Sequence, residues 1–461
     1  MLKLIPPTTP APLDPDFRPA VLANRAFRQE ARAAGSVPLI LTLQRTDGAI
    51  SRYETVVFPD GHPRAPENLT YAERLLKFLL WQRGGWQITV AGPRAIGRHI
   101  RQLYAPQGAR AFDEHFMGNQ VYLRPFEVRI TSPEQAPSAR ERSQPLGRNL
   151  DGARIGFDLG ASDIKVSAVV DGKALFSTEL VWEPVEQADP VYHETRIIEA
   201  LELAASHLPR LDAIGGSSAG VYVDNQPRIA SLFRGIPQAR FHEIRTLFQR
   251  IQQRFGVPLQ VVNDGEVTAL AGSMSLGVHG ILGIAMGSSE AVGYVNRAGA
   301  ITDWLNELAF APVDYAPAAP IDEWSGDRGV GALYFSQQAV FRLAPRVGLT
   351  PTGATKAARL KSIQQHLQAG HAGARQIWQT IGVYLGYTLA HYADFYDIEH
   401  VLILGRVTSG PGGDIILETA QSILDNDFPE LRHIALRLPD EKSRRVGQSI
   451  AAASLPTLSK K

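Results

Sequence analysis

The chain has 461 residues, 44% hydrophobic and 20% charged, with 47 Lys and Arg against 46 Asp and Glu and a formal net charge of +1. That length exceeds a single hydrophobic core and predicts two or three domains, and balanced charge argues against nucleic-acid or membrane-surface binding through bulk charge. Cysteine is absent, which excludes disulfides and thiolate metal sites and fits a reducing, cytoplasmic setting.

The proline-rich start "MLKLIPPTTPAPLDPDFRP" lacks the apolar stretch of a signal peptide. "VPLILTLQRTDGAISRYETVVFP" predicts a hairpin turning at Asp47-Gly48, "TYAERLLKFLLWQRGG" an amphipathic helix, and "WQITVAG" a strand. Residues 1–130 read as an α+β domain, strand-rich and without a recognition-helix pattern, whose chemistry the sequence does not reveal. Phe78, Leu79, Trp81 and Trp86 are expected to pack its core. The segment 131–150, with three prolines in "TSPEQAPSARERSQPLGR" and no apolar periodicity, is the expected linker.

From 151 onward the pattern is regular. Three strands (about 154–180) precede a helix (about 190–207), the strand "LDAIGGS", a loop region, one helix over "FHEIRTLFQRIQQRFG", the strand "PLQVVN" and the helix "GEVTALAGSMSLG". "GILGIAMGSSEAVGYVNRAGAITDW" then restarts three strands, helices fill about 332–395, "EHVLILG" is a strand and "GGDIILETAQSILDN" a helix. The longest uncharged run, 267–289, holds five glycines and predicts helix then strand, not a membrane span. Strand-strand-strand-helix-strand-helix occurs twice, giving two α/β lobes, 151–276 and 277–461, with a C-terminal helix (about 443–455) returning to the first. "KSRRVG" reads as the solvated start of that helix.

Each lobe opens with a hairpin whose first turn is small and polar. "FDLGASDIK" places Gly160, Ser162 and Lys165 after Asp158, and "MGSSE" places Gly287 and Ser288 at the second turn. Such turns can offer backbone N–H groups and short hydroxyls to a polyphosphate, with Asp158 holding Mg²⁺ through water. In "VVNDGEVTALAG", Asp264 ends a strand and begins a helix. There it can be a general base or simply the N-cap of the helix, and local pattern does not choose. His391 reads as a hydrogen-bonded, partly buried helix residue rather than a ligand.

The ordered stretches "FDLGASDIKVSAV", "AGV", "VVNDGEVTALAG", "GIAMGSSEAVGYV", "NEL", "EWSGDRGVGALYFSQQAV", "VLILGRVTSG" and "RVGQSIAAA" resemble the ROK family of bacterial sugar kinases and repressors, within the actin-like ATPase superfamily. The resemblance covers about residues 153–456. It implies an α/β fold of two ribonuclease-H-like lobes, with ATP and a sugar meeting in the cleft between them, and suggests a homodimer. By the same resemblance Asp264 takes the proton from a sugar hydroxyl, while Asn263 and Glu307 bind the sugar. Asp158, Gly160, Ser162, Lys165, Gly287, Ser288 and Gly405 surround ATP and Mg²⁺.

The departures from the family pattern matter too. Ala161 and Ser162 replace Gly-Thr in the first turn. Ser289, Ala291 and Val292 replace glycines of the second, and Glu290 adds a carboxylate near the phosphates. Phe310 stands in place of a sugar-orienting, zinc-binding histidine, and Glu323, Ser325 and Val330 in place of three zinc cysteines. Ala332 replaces a further sugar-binding glutamate. Zinc, which needs about four N or S ligands, is not expected. The expected function is phosphoryl transfer from ATP to a sugar or polyol. A sugar- or nucleotide-binding sensor without turnover is the alternative, and a repressor would need a winged helix in residues 1–150. Neither a nucleic acid nor a membrane is expected as partner.

Overall fold

At Asp47-Gly48 the hairpin forms where the sequence predicts it. Val37–Gln44 and Ile50–Val57 pair antiparallel, Val37 opposite Val57 and Gln44 opposite Ile50, and the two turn residues take left-handed φ of 51° and 74°. The computed structural model describes residues 2–141, 146–439 and 441–458, with the side chains of 441–446 outside that description. Lys442, Ser443, Arg444 and Arg445 of "KSRRVG" therefore lie outside the described side chains, although their backbone is helical. The chain divides into two compact units. The larger comprises Met1–Arg142, Ile284–Val292 and Asp303–Leu438, and the smaller Ser143–Gly283, Gly293–Thr302 and Pro439–Lys461.

The smaller unit is built on a five-stranded sheet in the order Leu259–Asn263, Ala213–Ser218, Ala153–Leu159, Asp163–Val170, Lys173–Val181. The first three strands run parallel and the last two join antiparallel, the ribonuclease-H arrangement. Ala153–Leu159 is buried along its whole length, as a central strand covered on both faces should be. Helix Pro190–Ala205 starts with Asp189 accepting from the Val191 N–H at 3.2 Å and proline at its first position. It buries Ile197, Ala200, Leu201 and Ala204 against Phe157, Trp182, Phe233 and Phe248. Two details differ from the sequence reading. The expected loop region contains the hairpin Val221–Val223 and Gln226–Ile229, and the helix expected over 241–256 divides at Thr246 into Phe241–Arg245 and Leu247–Phe255.

The C-terminal helix Glu441–Ala453 lies directly on this sheet. Glycine makes that possible: a Cβ added at Gly156 would fall 1.8 Å from the Ser449 carbonyl oxygen, and one at Gly215 1.7 Å from that of Ala452.

The larger unit holds two four-stranded sheets. The first runs Ile50–Val57, Val37–Gln44, Gln87–Ala91, Glu127–Thr131, with the last pair parallel. Helices Ala20–Ala33, Glu67–Arg83 and Arg94–Leu103 accompany it, so residues 1–130 are more helical than stranded, correcting the strand-rich reading. The signal was present: Val21, Asn24, Phe27 and Ala31 fall on one helical face and are buried. Phe78, Leu79 and Trp81 are fully buried and Trp86 half-buried. Of the segment 131–150, residues 142–145 lie outside the described residues. Arg140 exchanges a pair of backbone hydrogen bonds with Ile50, at 2.8 and 2.9 Å.

The second sheet runs Glu290–Val295, Ile281–Met286, His400–Leu404, Ala435–Arg437. The third strand expected over "AGAITDW" does not form; only an isolated bridge joins Val295 and Ile301. Asn296 explains this, because its side-chain oxygen accepts from Ala298 N–H (2.9 Å) and Ala300 N–H (3.0 Å) and closes the loop on itself. Helices Ala372–Ala393 and Pro411–Asp427 pack closely at Gly382 and Gly386, where an added Cβ would meet Thr419 and Ile423 at 2.6–2.7 Å. His391 is not partly buried and hydrogen-bonded as expected. It is 1% exposed among Phe78, Tyr392 and Phe395, and neither ring nitrogen has a hydrogen-bond partner among the described residues. Burial holds it neutral, with its pKa lowered to about 3. No helix among the described residues is long and apolar enough to cross a membrane.

Gly215→Ala should therefore displace the C-terminal helix, at a cost of about 1–3 kcal/mol for overpacking. The expected readout is a lowered melting temperature together with faster proteolysis confined to the last 20 or so residues. An unchanged melt would mean the helix does not need the glycine.

Candidate functional site

Sheet register assembles the first cluster. Asp158 pairs with Lys165 on one neighbouring strand and with Ser217 on the other. Ser217 Oγ donates to Asp158 Oδ1 at 2.7 Å, and Lys165 Nζ stands 3.5 Å from Asp158 Oδ2 and 3.6 Å from Asp163 Oδ1. The turn between the strands is tight: Gly160 N–H donates to the Asp163 carbonyl at 2.9 Å, and its own carbonyl accepts from Trp182 Nε1 at 2.8 Å. A Cβ on Gly160 would fall 2.8 Å from Asp163 Oδ1. Ala161 and Ser162, which stand where the family pattern has Gly-Thr, are exposed at the tip.

Asn263 and Asp264 follow from the strand next to Ser217. The N-cap of helix Asp264–Leu276 is Asn263, whose Oδ1 accepts from the Gly265 N–H at 2.7 Å; Asp264 is the first helical residue. The N-cap reading of Asp264 is thereby corrected. Asn263 Nδ2 also donates to the Gly220 carbonyl at 2.8 Å, so the fold already uses much of this amide. Although part of the Asp264 surface stays open to solvent, burial and then the negative charge of Asp158 push its carboxyl up to about 6, against the opposing pull of the Gly265 N–H. Ser217 was not singled out in the sequence; the serine pair ending "AIGGSS" was its only signal.

The larger unit carries the other expected residues. At the second turn, Gly287 N–H donates to the Ser289 carbonyl and the Gly287 carbonyl accepts from Gln337 N–H, both at 3.0 Å. Space above Gly287 is open, a Cβ meeting only the Ser289 carbonyl at 3.6 Å, and Ser288 and Ser289 are exposed. Glu290 does not crowd this turn. It is turned inward and 3% exposed, with Oε1 3.4 Å from Tyr392 Oη and Oε2 without a partner among the described residues. Burial is the main cause that lifts its pKa to about 8, so it is a neutral acid near pH 7. Gly405 has φ 101°, and a Cβ there would lie 2.5 Å from the Met286 carbonyl; it is needed for close strand packing whatever else it touches. Glu307 opens the short turn Leu308–Phe310, and its N–H donates to the Trp81 carbonyl at 3.0 Å.

Both short turns fit phosphate oxygens: each presents small exposed residues and backbone polar groups. Asp158 Oδ2, facing the Lys165 ammonium, is a carboxylate oxygen suited to a water-bound cation. Zinc is another matter. Phe310 is enclosed by Trp81 (4.4 Å between centroids), Trp324 (5.4 Å) and Phe112 (6.0 Å). Val330 is fully buried, and Ser325 is committed through N–H and Oγ to Asp322 Oδ2, both at 2.7 Å. This donor set does not fit zinc.

The fold has known counterparts. A ROK hexokinase from Thermus thermophilus superposes with a TM-score of 0.52 at 19% identity, covering 65% of this chain and 98% of the hexokinase. A ROK family transcriptional regulator, a homologue of the E. coli MLC protein, superposes with a TM-score of 0.52 at 18% identity over 67% of this chain and 79% of the regulator. The chain has the ROK fold. No protein-family model and no curated protein matches it.

Two outcomes follow. Asp264 binds its proton more tightly folded (about 6) than unfolded (3.8), so its contribution to stability is complete below about 3.8 and lost as pH rises through about 6. Asp264→Asn should therefore melt a few degrees higher than the parent at pH 7.5 and show no such gain at pH 4. Elemental analysis of protein purified without added metal should find far less than one zinc per chain; near one would refute the misfit described above.

Proposed function

We propose that this chain is a divergent member of the ROK family and a kinase that transfers a phosphoryl group from ATP to a hydroxyl of a sugar or polyol. The observation that carries this reading is Asp264, a partly open carboxylate at a strand end, with its pKa lifted to about 6 by burial and Asp158. A base that is ionised at neutral pH yet more basic than an ordinary aspartate suits removal of a hydroxyl proton during transfer. It also explains why a carboxylate stands at the first turn of the helix when Asn263 already caps it.

When bound, Mg²⁺-ATP supplies the phosphoryl group and spreads its charge. The chain's own residues then have separate tasks. Ser162 and Ser288 offer N–H groups and hydroxyls to phosphate oxygens, while Gly160 and Gly287, whose own N–H groups close the two turns, leave room for close approach. Asp158, fixed by Ser217, orients the water shell of the cation, and Lys165 neutralises phosphate charge. Gly405 lies toward the adenosine. Glu307 accepts from a sugar hydroxyl, and Asn263 contributes the amide hydrogen not already given to Gly220.

One observation favours a second reading, a sensor that binds without turnover. The Lys165 ammonium lies within 3.6 Å of both Asp158 and Asp163, where it competes with a cation for the same oxygens. The two readings separate in one experiment. Purified protein is screened for ATP consumption with Mg²⁺ against a panel of sugars and polyols, and nucleotide binding is followed by thermal shift. The kinase reading expects turnover with at least one acceptor, and a kcat about 100-fold or more lower in Asp264→Asn. In that variant the nucleotide-induced shift, about 2.7 kcal/mol at 100 times Kd, should be retained. A nucleotide shift with no turnover across the panel would select the sensor, and full activity in Asp264→Asn would remove the base assignment.

A further inference from the structure

We infer that helix Glu67–Arg83, from the N-terminal segment, braces the Glu307 loop in place of a metal, and that Lys77, Trp81, Asp113 and Asp327 are positioning residues for the acceptor-binding glutamate. The inference rests on the kinase reading in one respect, the role of Glu307.

Two sets of contacts meet on this helix. The first is at its C-terminal end, where the last carbonyls of any helix lack partners in the helical ladder. The Trp81 carbonyl accepts from Glu307 N–H at 3.0 Å and the Gln82 carbonyl from Asn306 N–H at 2.8 Å. Gly84, with φ 76°, lets the chain turn away immediately afterwards. Asn306 takes a left-handed φ of 51° to make its bond, and its side chain accepts from Tyr396 Oη at 2.7 Å. The backbone of Glu307 is thus hung on a helix end.

The second set lies one to two turns earlier and holds the loop containing residues 322–330. Asp327 meets Arg74 (3.2 Å), Lys77 (3.2 Å) and Arg110 (2.9 Å). Glu73 meets Arg74 (2.7 Å) and Arg110 (2.6 Å), and Asp113 accepts from Lys77 Nζ and Trp81 Nε1, both at 2.9 Å. None of these six charged side chains is more than 13% exposed, and three cations balance three carboxylates. Trp81 closes the gap between the two sets: its ring packs at a tilt against Phe310, three residues beyond Glu307, with 4.4 Å between centroids. The loops are also tied to each other, since Gly331 N–H donates to the Ala311 carbonyl at 3.0 Å.

A neutral, buried ionic cluster is costly to form and more costly to break on one side, so it fixes geometry better than it adds stability. That is the property a loop needs when the residues beside it cannot hold zinc. Helix and cluster together set the position of Glu307 from a segment distant in sequence.

The test uses the full chain, hydrogen–deuterium exchange, and steady-state kinetics with ATP and the acceptor that gives most turnover in the panel. Lys77→Met leaves Asp113 and Asp327 without their shared cation, Lys77→Arg keeps the charge, and Trp81→Phe removes the indole N–H and part of the ring volume while keeping an aromatic ring on Phe310. Lys77→Met should raise exchange about 10-fold in peptides covering 303–311 and 319–333, the scale of about one lost hydrogen bond in local opening. Peptides 154–165 and 259–276 should not change. Acceptor KM should rise by a similar factor with ATP KM constant, and Lys77→Arg should recover most of both. If Lys77→Met does not fold, Trp81→Phe carries the same expectations at smaller amplitude. Exchange that rises evenly through the larger unit, or not at all, would overturn the brace. Glu307→Gln is the control: if it leaves acceptor KM unchanged while the exchange pattern holds, the brace stands and the role of Glu307 falls.

Discussion

Two carboxylates that repel each other, Asp158 and Asp264, set the terms for the smaller unit. Like charges near one another disfavour ionisation, and here that repulsion adds to burial to lift Asp264 toward neutrality. A pair of this kind keeps its spacing only if the strands beneath cannot shift. Parallel pairing fixes Asp158 beside Ser217, and the serine hydroxyl holds one carboxylate oxygen in place. Gly156 and Gly215 let the C-terminal helix press on the same strands from below. Helix, sheet and hydroxyl all serve to hold two negative charges where they would not otherwise stay.

The larger unit solves a similar problem by different means. Its expected ligand residue, Glu307, sits on an irregular loop with no strand to fix it, just beyond the stretch 298–304 where an expected strand does not form. Order is imported from helix Glu67–Arg83, whose end carbonyls and buried charges reach both neighbouring loops.

The sequence made the hairpins, the central strands and the Asp264 helix legible because their periodicity and turn residues are local properties. Ala20–Ala33 was equally legible from its apolar spacing and was passed over among the prolines that precede it. The missing strand was harder: "AGAITDW" follows a strand and a turn, and both the side chain and the backbone of Asn296 close the loop on itself instead of leaving it to pair. The N-cap reading of Asp264 fails because Asn263 suits the position equally well, and only the backbone geometry gives the cap to Asn263. The buried charges of Glu73, Arg74 and Lys77 were visible as residues beside the apolar run of their helix. Their partners Arg110, Asp113 and Asp327 lie too far along the chain for pattern to join them.

Glu290 and His391 give the interior of the larger unit its own pH window. Glu290 holds its proton to about 8 when folded and to 4.5 when unfolded, so it costs stability progressively as pH rises above 4.5. His391 resists protonation down to about 3 although the unfolded imidazole takes a proton at 6.5, so it costs stability as pH falls below 6.5. Between about 4.5 and 6.5 the two slopes are opposite and cancel. Outside that interval one acts alone, and mild alkali charges an acid in the interior well before surface lysines begin to titrate. For these two groups taken alone the balance favours weakly acidic surroundings, while the proposed base, Asp264, becomes fully ionised only above them.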